Sequence, residues 1–183
     1  MALLKTPVCE FGKIAPDFRL LGTDGKHYGL ADCVKKNGLL VMFICNHCPY
    51  VKAILSRLIE DAKVLLAQDI GCVAICSNDP TDYPEDSYKN MQLLATKLEL
   101  PFPYLVDETQ QVAKAYGAVC TPDFFGYNNN LKLQYRGRLD ESGIHPAPSG
   151  ARRELVEAMQ LIAKTGKGPQ DQIASQGCSI KWR

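Results

Sequence analysis

The feature that most constrains the fold is an apolar run that ends directly at a pair of cysteines. Residues 39–44 read LLVMFI, and the motif CNHC follows at positions 45–48. A short, continuous apolar run bounded by Gly38 predicts a strand that is covered on both faces. From Pro49 to Ala67 apolar residues recur at helical spacing, and proline suits the first helical position because no N–H donor is needed there. Both cysteines are therefore expected where a buried strand passes into a helix.

The remaining pattern predicts an α/β fold with a mixed central sheet flanked by helices on both faces. Asp24-Gly25 lies between two short apolar stretches and suits a tight turn, which predicts an N-terminal β-hairpin. The other predicted elements, in chain order, are a strand at 71–76, a helix that begins at Pro84, a strand at 103–106, a helix from Asp107 to Gly117, a hairpin over 123–136 and a helix capped by Ser149. Strands that alternate with helices predict a parallel part, and the later hairpin adds an antiparallel part.

Length and composition exclude several classes of function. The chain has 183 residues, of which 46% are hydrophobic and 22% are charged, as in an ordinary soluble globular domain. Lys and Arg total 21 while Asp and Glu total 20, so net charge does not favour nucleic acid or anionic lipid. The longest apolar run falls far short of the roughly 20 residues that cross a bilayer. We therefore expect no nucleic-acid partner and no membrane partner.

The N-terminus and the cysteine count together predict a compartment. The first ten residues, MALLKTPVCE, lack a basic segment followed by an apolar one, so no secretory signal is predicted. The chain carries eight cysteines, and in a chain of this length without a signal they are expected to be reduced thiols with a catalytic or sensing subset. A cytoplasmic location follows as the expectation.

The position of the CNHC motif predicts redox chemistry at Cys45 and Cys48. Free N–H groups and the positive end of a helix dipole stabilise a thiolate, and the pKa of cysteine falls from about 8.5 to as low as roughly 3.5 in such motifs. The thiolate is the nucleophile, and a thiol three residues away can resolve a mixed disulfide. His47 adds a tunable positive charge beside the sulfurs, and Asn46 is a further candidate within the motif.

Two other interpretations of the motif are weaker. A zinc site prefers four ligands, and no second C-x-x-C or H-x-x-x-H pair follows in the chain. Haem attachment requires a histidine directly after the second cysteine, where Pro49 stands. The alternative without a functional role is that Cys45 and Cys48 are two small core residues near a turn. We predict no metal, and no cofactor other than the redox-active dithiol and its disulfide.

Three residues elsewhere are candidates for the same chemistry. Cys120 directly precedes Thr121-Pro122 at the start of a predicted strand, and Cys178 lies in the C-terminal tail. Either could be a resolving cysteine. Arg138 is interpreted as a solvated strand residue, with the alternative that it polarises a peroxide or steadies a thiolate.

Several motifs in the same order resemble a known family over residues 8–183. They are APDF at 15–18, DGK at 24–26, the buried strand leading to the cysteine motif, Thr121-Pro122 before a strand, and GCSIKW at 177–182. Together they resemble the redoxin branch of the thioredoxin superfamily, which includes the alkyl hydroperoxide reductase and thiol-specific antioxidant proteins. The stretch FICNHCPYV is similar to a peroxiredoxin-like subgroup.

The resemblance implies a thioredoxin-like domain over residues 8–166, with an N-terminal β-hairpin extension and a tail, 167–183, packed on the same domain. It implies that Pro122 is a cis-proline facing the sulfurs and that the backbone of Thr121 is free to pair with a bound partner chain. The implied activity is thiol–disulfide exchange, in which Cys45 attacks, Cys48 resolves and His47 tunes the thiolates. Protein disulfides or hydroperoxides are the implied substrates, with an unidentified electron donor.

Two departures from the family leave alternatives open. The buried acid that thioredoxins carry on the preceding strand is missing from residues 39–44, so proton transfer needs another route. In the peroxiredoxin pattern P-x-x-x-T-x-x-C, Cys45 takes the place of the threonine and Cys48 that of the peroxidatic cysteine. A thiol peroxidase that forms a sulfenic acid at Cys48 is therefore the second hypothesis. A redox-inert or redox-sensing protein-binding module is the third.

Overall fold

The computed structural model of the chain describes residues 3–183. Its strands are β1 Leu3–Lys5, β2 Arg19–Gly22, β3 His27–Gly29, β4 Leu39–Phe43, β5 Gly71–Cys76, β6 Tyr104–Val106, β7 Cys120–Thr121, β8 Asp123–Tyr127, β9 Leu133–Tyr135 and β10 Gln176–Ser179. Its α-helices are α1 Leu30–Cys33, α2 Pro49–Ala67, α3 Tyr88–Lys97, α4 Gln111–Tyr116 and α5 Glu154–Thr165, with a single 3₁₀ turn at Pro84–Asp86. No helix within the described residues has both the length and the apolar character that a bilayer crossing needs.

The larger sheet has seven strands in the order β3-β2-β6-β5-β4-β8-β9. The three central strands β6, β5 and β4 are parallel, whereas β2, β3, β8 and β9 join antiparallel. Every residue of β4 and of β5 is buried, as expected for strands covered on both faces. The predicted mixed sheet and both buried strands are confirmed.

Alternate residues of β4 divide the core into two layers, one on each face of the sheet. Leu40 and Met42 belong to the core beneath α2 and α5, while Val41 and Phe43 belong to the core beneath α1 and α4. This alternation is the two-residue period of a strand with helices on both faces. The predicted α/β architecture is therefore confirmed.

Three predicted helix starts were wrong. The helix predicted from Asp107 begins only at Gln111, after a turn over residues 107–110. The helix predicted from Pro84 is a 3₁₀ turn followed by α3, because Ser87 is extended (ψ 150°) and the Asp86 carboxylate turns away to the cysteine loop. The last helix begins at Glu154 with Arg153 as its N-cap, and not at Ser149. Gly150 interrupts the predicted helix because its φ of +79° is left-handed.

A smaller antiparallel sheet has the order β1-β10-β7 and brings the tail to the cysteine motif. Cys178 of β10 lies opposite Thr121 of β7 on one side and opposite Leu3 of β1 on the other. A Cβ atom at Gly177 would overlap the carbonyl oxygen of Thr121. Glycine at this position therefore lets β10 approach β7 closely, directly beside the Thr121-Pro122 bond.

A buried ion pair anchors the segment that carries Thr121-Pro122. Asp123 accepts hydrogen bonds from Arg136 at 2.9 Å (Nη2 to Oδ2) and 3.3 Å (Nε to Oδ1). The same guanidinium donates to the carbonyl oxygen of Gly117 at 2.7 Å. Both charged side chains are buried, with exposed fractions of 3% for Arg136 and 0% for Asp123. Arg136 thus ties both ends of the segment 117–123 to the end of β9.

Replacing Asp123 by Ala is expected to lower the free energy of unfolding by about 3–5 kcal/mol, because it leaves the Arg136 guanidinium buried and unpaired. The measurement is the urea midpoint, interpreted at constant slope. The control is Glu157→Ala, which breaks the exposed Arg152–Glu157 pair and should cost less than about 1 kcal/mol. Equal costs for the two variants would contradict the anchoring role of Asp123.

Candidate active site

The two cysteines lie at the junction that the sequence predicted. Cys45 follows the end of β4 by two residues, and Cys48 is the N-cap of α2, with Pro49 as the first helical residue. Both are free thiols and almost fully buried, with exposed fractions of 1% for Cys45 and 0% for Cys48. The pair is thus a dithiol beneath the surface at the positive end of a 19-residue helix.

Cys48 is the sulfur that ionises first. A hydrogen bond from the Cys45 thiol, followed by hydrogen bonds from the Cys178 thiol and from the N–H groups of Val51 and Cys178, lowers the pKa of Cys48 to about 4 against the opposing effect of burial. The carbonyl oxygen of Thr121, 3.1 Å from the Cys48 sulfur, accepts a hydrogen bond from the protonated thiol. Together, the hydrogen bonds that lower the pKa outweigh the effect of burial and favour a Cys48 thiolate at neutral pH.

Cys45 keeps its proton. Burial raises the pKa of Cys45 well above its usual value, and the hydrogen bond that it donates to Cys48 and the charge of Asp86 act in the same direction. Its sulfur lies 3.3 Å from the hydroxyl oxygen of Thr121 and 3.6 Å from Nδ1 of His47. The dithiol therefore loses one proton readily and holds the second between the two sulfurs.

Asp86, which the sequence did not single out, organises the cysteine loop. Its Oδ1 accepts hydrogen bonds from the backbone N–H groups of Asn46 at 2.7 Å and His47 at 3.0 Å. Its Oδ2 accepts from Nδ1 of His47 at 2.5 Å and from the Asn78 side chain at 2.8 Å. A buried carboxylate thus reaches the dithiol from the 3₁₀ turn, in place of the acid that is missing from β4.

His47 connects this carboxylate to Cys45. Its Nδ1 lies between Oδ2 of Asp86 and the Cys45 sulfur, and its ring stacks on Tyr83 with 4.2 Å between centroids. Its Nε2 is buried without a hydrogen-bond partner among the described residues. Because Nδ1 donates its proton to Asp86, the carboxylate of Asp86 is the base in this pair that can take the Cys45 proton, and its oxygen lies within 4.8 Å of the Cys45 sulfur.

Thr121-Pro122 faces the dithiol, and its peptide bond is cis, as the resemblance implies. The Thr121 hydroxyl contacts the Cys45 sulfur and the Thr121 carbonyl contacts the Cys48 sulfur. The expectation that the backbone of Thr121 is free to pair with a partner chain was wrong. Strand β10 of the same chain occupies that edge, because Gly177 permits the close approach.

The other candidate residues divide into near and distant ones. Asn46 braces the loop, because its side-chain amide donates to the carbonyl of Glu85 at 2.9 Å and accepts from the Tyr104 hydroxyl at 3.0 Å. The Cys120 thiol lies 3.7 Å from the carbonyl oxygen of Pro122, and burial raises its pKa. Cys178 lies opposite Thr121 in the strand register and shares a buried cluster with Cys45 and Cys48, so it belongs to the dithiol site.

Arg138 does not steady a thiolate in this structure. Its guanidinium forms a two-point ion pair with Glu154, at 2.7 and 3.0 Å. Within residues 3–183, no hydrogen bond joins a guanidinium to the sulfur of Cys45 or Cys48. Arg138 instead lines a cavity of about 290 Å³ beside Pro122, together with Tyr50 and Ile54.

The described residues contain one group of three possible metal ligands. The donor atoms of Cys45, His47 and Asp86 all lie within 4.8 Å of one another, and all three residues are buried. The Asp86 oxygens already accept four hydrogen bonds from the cysteine loop and Asn78. We therefore interpret the group as a proton relay to the dithiol.

Comparison with known proteins agrees with this geometry. Residues 11–139 match the model of the AhpC/TSA family. The curated thiol-disulfide oxidoreductase ResA of Geobacillus thermodenitrificans is 25% identical over 123 residues, which cover 67% of this chain and 66% of that protein, just under two thirds of its length.

Two solved structures have the same fold. An uncharacterised conserved protein from Geobacillus kaustophilus is 42% identical over 100% of this chain and 97% of that chain, with a TM-score of 0.94. The exposed lipoprotein thioredoxin of Streptococcus pneumoniae is 26% identical over 70% of this chain and 95% of that chain, with a TM-score of 0.56. The thioredoxin-like fold and the redoxin branch predicted from sequence are thus confirmed, and both agree with the prediction of a thiol–disulfide oxidoreductase.

Ionisation of Cys48 predicts how the stability of the reduced protein depends on pH. Because its folded pKa of about 4 lies below the unfolded value of about 8.5, the thiolate stabilises the fold fully above pH about 8.5. That contribution is lost as pH falls toward 4, at up to about 1.4 kcal/mol per pH unit. The measurement is the difference in unfolding free energy between the reduced wild type and Cys48→Ser from pH 4 to 8.

Cys72→Ser is the matched control, because burial raises the pKa of Cys72 to about 12 and its thiol is neutral in both states over this range. Its difference from the wild type should not vary with pH. A pH-independent difference for Cys48→Ser as well would exclude a Cys48 thiolate.

Proposed function

Because the chain belongs to the AhpC/TSA family, we propose that it is a thiol–disulfide oxidoreductase whose working group is the Cys45–Cys48 dithiol. One observation carries the proposal. A thiolate at the N-cap of α2 and a protonated thiol three residues earlier both face the cis Thr121-Pro122 segment. Such a pair can donate two electrons and close as a disulfide without any additional cofactor.

The lowered pKa of Cys48 favours it as the attacking sulfur, which reverses the order implied by the thioredoxin resemblance. The Cys48 thiolate attacks one sulfur of a substrate disulfide, forms a mixed disulfide and releases the other substrate sulfur as a thiolate. Cys45 then gives its proton to the His47–Asp86 pair and attacks Cys48. The Cys45–Cys48 disulfide forms, and the second substrate thiolate leaves.

Protein disulfides are the proposed substrates, and an external dithiol is the proposed electron donor that returns the protein to its reduced form. The cavity of about 290 Å³ offers apolar and charged side chains beside Pro122, the proline of the segment that faces the dithiol, as a polypeptide substrate requires. We propose a cytoplasmic location, on the basis of the predicted reduced thiols.

Peroxide reduction at Cys48 is the second candidate, because the same lowered pKa would activate Cys48 toward a hydroperoxide. It ranks lower because Arg138, the residue suggested to polarise a peroxide, is paired with Glu154. A redox-inert binding module is third, because it would leave the stabilised thiolate without a role.

The function is tested by reduction of a peptide that contains one disulfide, with dithiothreitol as the electron donor. We expect the wild type to accelerate the reduction and Cys48→Ser to abolish the acceleration. The double variant Cys45→Ser/Cys178→Ser, which leaves no second thiol at the site, should stop at a mixed disulfide on Cys48. Cys72→Ser, a buried cysteine of β5, should retain activity. Faster turnover of hydrogen peroxide than of the peptide would favour the peroxidase, and inertness to both substrates would leave the binding module.

Asp86→Asn tests the proton relay. The plateau rate at which the mixed disulfide is resolved should fall about 10²-fold, because Cys45 loses the base that takes its proton. The pH midpoint of that step should also move down, because removing the negative charge of Asp86 lowers the pKa of Cys45.

The control for the relay is Glu85→Gln, whose side chain is exposed on the same turn and which should leave the rate and the midpoint unchanged. Rapid-quench trapping of the mixed disulfide over a range of pH measures both quantities. A lower rate without a shift of the midpoint would reduce Asp86 to a structural brace.

A further inference from the structure

Cys178 in the C-terminal tail brings a third thiol to the dithiol site. Cys178 in β10 is the register partner of Thr121, whose carbonyl oxygen is 3.1 Å from the Cys48 sulfur. Hydrogen bonding from the Cys178 thiol and its backbone N–H is among the causes that lower the pKa of Cys48. Cys45, Cys48 and Cys178 all belong to one buried cluster.

The position of Cys178 is fixed by backbone pairing on both sides of its strand. Strand β10 is the middle strand of its sheet, paired with β1 on one edge and β7 on the other. Beyond the strand, the N–H of Ile180 donates to the carbonyl of Val119, and the N–H of Lys181 donates to the Asn78 side chain. The Cys178 thiol thus has a fixed position at the dithiol.

We propose that Cys178 is a third redox-active cysteine, which exchanges with the Cys45–Cys48 disulfide to form a Cys48–Cys178 disulfide. The inference deepens the proposed function and rests on it, because that activity supplies the oxidised pair. Strand β10 lies on the Thr121 edge that the resemblance assigned to a partner polypeptide. The tail therefore presents Cys178 to Cys48 as a substrate would present its own cysteine.

The exchange step needs no oxidant of its own. The Cys178 thiol gives up its proton, and its sulfur attacks Cys48 Sγ within the Cys45–Cys48 disulfide. The Cys48–Cys178 bond forms, the Cys45–Cys48 bond breaks, and the electron pair leaves on the Cys45 sulfur. Cys45 takes up one proton, with the His47–Asp86 pair beside it, so one disulfide and one thiol are present before and after.

The negative charge of the Cys48 thiolate opposes ionisation of Cys178 in the reduced protein but not in the oxidised protein. In the reduced form, burial and the hydrogen bond donated to Cys48 raise the pKa of Cys178 to about 12, so Cys178 stays a thiol. Once Cys48 is in a disulfide, its charge no longer opposes ionisation of Cys178.

The test maps disulfides in full-length protein treated with one equivalent of hydroxyethyl disulfide, quenched in acid, alkylated and digested for peptide masses. We expect both Cys45–Cys48 and Cys48–Cys178 peptides in the wild type, the second alone in Cys45→Ser and the first alone in Cys178→Ser. Cys120→Ser, which removes a buried thiol from the adjacent strand, should match the wild type.

The outcomes separate this inference from the proposed function. One outcome is that Cys178→Ser forms the Cys45–Cys48 disulfide while neither the wild type nor Cys45→Ser forms Cys48–Cys178. In that case the redox role proposed for Cys178 is wrong, and the proposed thiol–disulfide oxidoreductase function is unaffected. If Cys45–Cys48 forms in no protein, the proposed function itself fails. Should Cys45→Ser not fold, the wild-type map alone decides whether Cys48–Cys178 exists.

Gly177→Val tests the placement of the thiol while keeping the thiol itself. Its side chain would collide with the carbonyl of Thr121 and push β10 away from Cys48. We expect loss of the Cys48–Cys178 peptide with the Cys45–Cys48 peptide retained. Gln176→Val, at an exposed position of the same strand, should retain both. Retention of Cys48–Cys178 in Gly177→Val would show that the position of β10 does not determine the exchange.

Discussion

The arrangement of the site depends on the carboxylate of Asp86. It is the only buried acid bonded to the cysteine loop among the described residues, and it binds two backbone N–H groups of that loop together with the ring of His47. A buried charge is costly unless it is fully hydrogen-bonded, and these donors satisfy it. The same bonds fix the turn between β4 and α2, and thereby hold Cys45 and Cys48 on either side of Thr121.

Local pattern was enough to predict the frame of the site. The apolar run, the CNHC motif and the helix from Pro49 to Ala67 are neighbours in sequence, so their periodicity places the dithiol at a strand–helix junction. Asp86 could not be predicted in the same way, because its contacts span 39 and 40 residues. In the sequence Asp86 was simply an acid in the first turn of a predicted helix, although the acid missing from β4 indicated that proton transfer needs another route.

The strand that the tail forms could not be predicted from local sequence pattern either. QGCS, the sequence of β10, has neither the β-branched residues nor the alternation that predict a strand. Its structure is determined by its neighbours: the open edge of β7, the close approach that glycine permits and the thiol cluster that receives Cys178. Ser149 shows the opposite error, because a good capping residue was present but the helix begins at Glu154.

The contact between Cys178 and Cys48 links proton binding to the position of the tail. Strand β10 stabilises the Cys48 thiolate through its own N–H and S–H groups. By thermodynamic reciprocity, the thiolate must stabilise the docking of β10 by the same free energy. Protonating Cys48, or closing the Cys45–Cys48 disulfide, removes that stabilisation, whereas a Cys48–Cys178 disulfide would hold β10 covalently. The docking of the tail therefore depends on the protonation and redox state of Cys48.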